Sequence, residues 1–139
     1  MRIARRRRQA GFTLIEALVS ILIFSIGVLA LIALQVISVR QSSNAKYRSE
    51  AALLVNQLIG EMWVTDRVTT TLQTNYNTGG AQYNAWAATV QAQLPSGAAS
   101  APSVVVAADG QVTINVFWKA PNEQPSEPQH NYTAIARIR

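Results

Sequence analysis

The 139-residue chain contains no cysteine and one histidine. Without cysteine there is neither a disulfide framework nor a thiolate metal site, so any folded domain holds together by packing alone. The lone histidine, His130, lies in a proline-rich stretch with Glu127 three residues before it. One imidazole and one carboxylate make a poor nucleophile site, acid–base pair or metal cluster, and solvated loop residues account for them better. Gly79-Gly80 lacks the pattern of a phosphate loop and reads as a turn. The expectation is a protein that is not an enzyme, with no metal or other cofactor. Proline and glycine are also nearly missing where a helix breaker would matter: Gln35 to Trp63 has no proline and only Gly60.

What is there is one long apolar run. Residues 12 to 34 read FTLIEALVSILIFSIGVLALIAL, with Glu16 the only charge. At 1.5 Å per residue this is roughly 35 Å of helix, enough to cross a bilayer core. Arg5 to Arg8, with Arg2, stand just before it, and the positive-inside rule then keeps the amino terminus in the cytoplasm and sends the carboxyl terminus across. An ordinary secretory signal would have a shorter apolar region ending in a small-residue cleavage site. The formal charge of +5 would otherwise invite nucleic acid as a partner. Because five of the twelve basic residues precede Gly11, leaving seven basic against seven acidic, the arginines read as a topology signal and no nucleic acid is expected.

Past Leu34 the helix does not break. Tyr47, Ala51, Leu54, Val55, Leu58, Ile59 and Met62 recur on one helical face, with Arg48, Glu50, Asn56, Gln57 and Glu61 between them. One helix is predicted from Phe12 to Val64, roughly 80 Å long. Asp66 to Gln82 is rich in Thr, Asn and Gly and reads as a surface connection. Tyr83, Trp86, Ala87, Val90 and Leu94 predict a short amphipathic helix stopped by Pro95. Three valines in Ser103 to Ala108, a two-residue Asp109-Gly110 turn and alternating Val112, Ile114, Val116 and Trp118 predict a hairpin. Lys119 to His130 is a long proline-bearing loop, open to reading as a contact or as a spacer, and Tyr132, Ala134, Ala136 and Ile138 alternate as a last strand. Trp63, Trp86 and Trp118 are all expected in the core. The fold class is therefore α+β: a long N-terminal helix, transmembrane in its first half, packed against a small antiparallel sheet with one short extra helix.

Gly11-Phe12-Thr13-Leu14-Ile15-Glu16, between an arginine cluster and an apolar helix, resembles the class III signal of type IV prepilins and type II secretion pseudopilins. The resemblance implies cleavage between Gly11 and Phe12 by a membrane-embedded prepilin peptidase, which also methylates the new Phe12 amine. It divides the chain into a leader (1–11), a transmembrane half-helix (12–34), a periplasmic half-helix (35–65) and a periplasmic globular part (66–139). Glu16 is costly in an apolar span, about 2.5 to 3.5 kcal/mol at a helix centre. It either reaches the headgroup region or, as the family implies, pairs with the Phe12 amine of a neighbouring subunit during assembly.

Ser25-Ile26-Gly27, Leu34-Gln35, Tyr47-Arg48-Ser49 with Ala51, and Leu58 with Met62 further resemble the helix of minor pilins. The chain departs from many major pilins in lacking a mid-span proline and a carboxyl-terminal cysteine pair, and from many relatives in having Gln9 and Ala10 just before the glycine. The implied partners are the prepilin peptidase, other minor and major pilins, the inner-membrane assembly platform and the lipid bilayer. The implied location is the inner membrane, single-pass, and then the pilus. A minor pseudopilin, or an uncleaved membrane-anchored binding module, remains open.

Overall fold

The computed structural model describes residues 10–95, 101–121 and 123–138. The leader arginines lie outside the described residues. Three helices, α1 (Ala10–Val64), α2 (Thr69–Tyr76) and α3 (Ala81–Gln93), precede three strands, β1 (Ser103–Val106), β2 (Gln111–Trp118) and β3 (His130–Arg137). The chain divides into two compact units at Val39 and Arg40.

In the first unit every described side chain from Phe12 to Val39 is exposed. Leucines, isoleucines, valines and two phenylalanines cover this stretch, so its apolar surface has no partner among the described residues. The helix is long and apolar enough to cross a membrane. A hydroxyl in such a span needs a local acceptor, and the Ser25 hydroxyl donates to the Ile21 carbonyl at 2.7 Å.

The second unit is built on the later part of the same helix. Ala51, Leu54, Val55, Leu58 and Met62 form the buried stripe that the 3.6-residue period predicts, with Tyr47 and Ile59 packed at its margin. Against it pack Tyr83, Trp86, Ala87, Val90 and Leu94, and the inward residues Val104, Val106, Val112, Ile114, Val116 and Trp118. The Trp86 indole N–H donates to the Leu54 carbonyl (2.9 Å) and the Tyr83 hydroxyl to the Pro102 carbonyl (2.6 Å). Both aromatics thus satisfy their polar ends inside the core. Trp63 is different: it is 45% exposed, and its ring lies beneath the Arg67 guanidinium. Next in sequence to Met62, it points about 100° away from the buried stripe, which corrects the expectation that all three tryptophans are core.

Two further expectations change. The connection Asp66 to Gln82 contains α2, so there are two short helices rather than one. Its Thr- and Asn-rich sequence has low helix propensity, but Leu72 and Tyr76, one turn apart, are both buried, and tertiary packing decides. The β1–β2 turn also differs. A two-residue type I′ turn needs positive φ at both Asp109 and Gly110, whereas only Gly110 has it, at +80°. Gly110 N–H instead donates to the Ala107 carbonyl (3.0 Å) and Ala107 N–H to the Gln111 carbonyl (2.8 Å), giving a three-residue loop whose glycine takes the left-handed position. Asp109 completes it, accepting from Gln111 N–H (3.1 Å) and the Arg137 guanidinium (2.7 Å), which together hold its carboxyl below the ordinary aspartate range despite slight desolvation.

The sheet is an antiparallel meander in the order β1-β2-β3. Its two edges are treated differently. On β1, Thr78 Oγ1 accepts from Val104 N–H, Thr78 N–H donates to the Val104 carbonyl, Asn77 Oδ1 accepts from Val106 N–H and Gln73 Nε2 donates to the Val106 carbonyl. The end of α2 and the α2–α3 connection therefore close that edge.

Leu58→Ala, at a fully buried position, is expected to destabilise the domain by about 2–5 kcal/mol, and Leu53→Ala, at an exposed one, by less than about 0.5 kcal/mol. Denaturant unfolding of the detergent-solubilised chain, followed by tryptophan fluorescence, measures both.

Candidate functional site

Two places carry chemistry. The first is the start of α1. The described helix runs from Ala10, so the Gly11–Phe12 peptide bond lies in its first described turn. Glu16 follows Phe12 by four residues, which puts the two on one helical face a turn apart. Both are exposed, and among the described residues Glu16 has no ion-pair partner. The first described turn contains no acidic residue.

The second place joins the α1 helix near Asn44 to the β2–β3 loop. Glu123, with a side chain only 6% exposed, accepts from His130 Nε2 at 2.7 Å, from Ala120 N–H at 3.1 Å and from the Asn44 side chain. An ionised carboxylate only accepts, so the hydrogen in the His130 contact sits on Nε2. Burial pushes the Glu123 carboxyl up, but these hydrogen bonds outweigh it and hold it below the ordinary glutamate range. The His130 ring stacks on Trp118, with centroids 5.8 Å apart. Glu127, the carboxylate nearer in sequence, lies 3.9 Å from Arg40 instead. Lys119 Nζ donates to the Pro125 and Glu127 carbonyls, at 2.9 and 2.8 Å. The loop is thus braced along its length. Sequence reasoning missed the Glu123–His130 contact because the pair is seven residues apart across a loop, where no period links them.

Beside this brace lies a cleft of about 330 Å³ lined by Asn44, Ala45, Arg48, Trp118, His130 and Asn131. Two of its lining residues keep a buried polar atom without a hydrogen-bond partner, Nε1 of Trp118 and Oδ1 of Asn44. Among the described residues no group of three His, Cys, Asp or Glu is placed to hold a metal ion.

Residues 6–32 match the prokaryotic N-terminal methylation motif, the signal of type IV pilins and pseudopilins, which are structural rather than enzymatic proteins. The chain therefore carries a prepilin-type N-terminus, the substrate signal of prepilin peptidase, on a helix fit to anchor it in a membrane. The matched stretch ends before Arg40, where the second unit begins. Comparisons with curated proteins and with solved structures return no match.

A carboxylate with a depressed folded-state pKa stabilises the protein above its unfolded pKa and loses that contribution as pH falls through the folded one. Unfolding free energy is accordingly expected to drop on acidification below about pH 4.5, the ordinary value for glutamate. Glu123→Gln should flatten that part of the profile. Denaturant midpoints across a pH series check it, and superimposable slopes for the two proteins would contradict the brace.

Proposed function

We propose that the chain is a minor pilin of a type IV pilus, cut between Gly11 and Phe12, N-methylated at Phe12 and built into the initiating or tip complex. The carrying observation is the methylation motif at residues 6–32 running directly into an apolar helix with no partner among the described residues. Glycine at the cut offers no side chain to a protease working at the membrane surface, and the cut removes the arginines that hold the helix in place. A filament core gives the exposed apolar face of residues 12–39 neighbours of its own kind as it leaves the bilayer. The helix sequence up to residue 65 resembles the minor pilin PilV, the type IV pilus modification protein. That likeness, with the missing mid-span proline and cysteine pair, favours a low-abundance subunit over the main one.

Cleavage would place a cationic amine at the amino end of α1, where the helix dipole is already positive. Glu16 is the one acidic side chain near enough in sequence to offset it, either in its own chain, one turn on, or in a neighbour. We assign the neighbour's amine as the partner that draws the incoming helix into register. The prepilin peptidase, other minor and major pilins, the inner-membrane assembly platform and the lipid bilayer are the partners on this reading, with the globular domain in the periplasm before assembly. The same motif serves pseudopilins, so the minor pseudopilin I of type II secretion is the second reading. Co-purification with minor pilins supports the first, and co-purification with secretion pseudopilins supports the second.

Glu16→Ala is expected to leave processing at Gly11–Phe12 intact while reducing recovery in sheared filaments about tenfold or more, the effect of losing one buried charge pair. Immunoblots of membrane and filament fractions read both quantities. Wild-type recovery would remove the assembly role of Glu16.

A further inference from the structure

The two edges of the sheet differ in a way that packing within the chain does not explain. Register and hydrogen bonding together fix which groups of β3 face outward. Ile138 N–H donates to the Gly110 carbonyl, and the pairing continues unbroken from Gln111↔Arg137 to Trp118↔His130. In an antiparallel ladder bonded and non-bonded pairs alternate, so Ala136, Ala134, Tyr132 and His130 bond to β2. Asn131, Thr133, Ile135 and Arg137 then direct their N–H and C=O groups away from β2. Among the described residues no strand, loop or side chain meets these groups. Natural edges are blunted by lysine, proline, a bulge or a cover. Here β1 has its cover from Gln73, Asn77 and Thr78, while β3 has an unbroken register, no proline and no lysine. Its one cation, Arg137, is already paired with Asp109.

The surroundings of this edge specify what would cover it. Mid-strand, Ile135 is 65% exposed and flanked by neutral Thr133, which suits a partner with small or β-branched side chains. At the His130 end the edge runs into the cleft holding Arg48, whose guanidinium has no ion-pair partner among the described residues. Trp118, Asn131 and Asn44 line the same cleft. A cation with no ion-pair partner at this end of the edge fits an anion. A strand added antiparallel to β3 brings its own carboxyl-terminal end to that point.

We propose that β3 is an acceptor edge for an extended carboxyl-terminal segment of another polypeptide, added as an antiparallel fourth strand, with the terminal carboxylate held by Arg48 at the cleft. This occupant is identified independently of the filament reading above.

The test uses the full chain in detergent micelles and the peptide acetyl-Thr-Val-Thr-Ile-Thr-Val-Glu with a free carboxyl terminus. Hydrogen exchange should slow at Asn131, Thr133 and Ile135 and stay unchanged at Val104 and Val106, whose edge is closed. An uncharged version ending in glutamine amide should bind about tenfold more weakly, and Arg48→Ala should erase that difference while leaving strand pairing in place. Thr133→Pro removes an outward N–H without touching the β2 ladder and should abolish protection; Ile135→Pro is the parallel variant should the first not fold. Absence of slowed exchange at about 1 mM peptide, or slowing confined to residues outside β3, overturns the acceptor edge. Equal affinity for the acid and amide peptides overturns the carboxylate assignment.

Discussion

Everything in this chain follows from an apolar helical surface, Phe12 to Val39, that its own domain does not bury. Such a surface has two stable settings, hydrocarbon or other helices of the same kind. A methylation motif at its amino end connects the two on the reading proposed above: the arginine-flanked form belongs in the bilayer, and the trimmed form would be free to leave it. Charge follows the same division, since five of the twelve basic residues precede Gly11, in the segment that the proposed cut would remove.

The second unit meets the opposite requirement. It lacks cysteine and must stay folded through packing, which it does by using the later turns of α1 as the spine of its core. The buried tryptophan and tyrosine side chains Trp86 and Tyr83 fasten α3 to that core through bonds to backbone carbonyls. The proline-bearing loop, ambiguous between contact and spacer, proves to be fastened to the domain by Glu123, Lys119 and the Arg40–Glu127 pair. The brace holds a loop whose outer residues are exposed, beside the open strand edge.

Much of this was legible in the sequence, and the reasons are physical. α1, α3 and the buried stripe from Ala51 to Met62 declare themselves through a helical period sustained over several turns. The strands declare themselves by alternation. What escaped depends on contacts between residues distant in sequence. α2 forms from poor helix formers because Leu72 and Tyr76 find the core. Trp63 shares its neighbours' composition but not their face. The hairpin loop was located correctly and its type was not, because Asp109 keeps negative φ while bonding Gln111 and Arg137. At the candidate site, Gly11, Phe12 and Glu16 could be named from their local context, whereas the Glu123–His130–Asn44 cluster and the unequal sheet edges are products of topology.

The central claim is that the molecule is made as one thing and used as another, with the change at a single peptide bond. Mass spectrometry of the chain recovered from membranes of a host with an active prepilin peptidase tests this directly. The account predicts an amino-terminal peptide beginning at Phe12 and carrying one added methyl group. An intact peptide retaining Arg5 to Arg8 and Gly11 would contradict it.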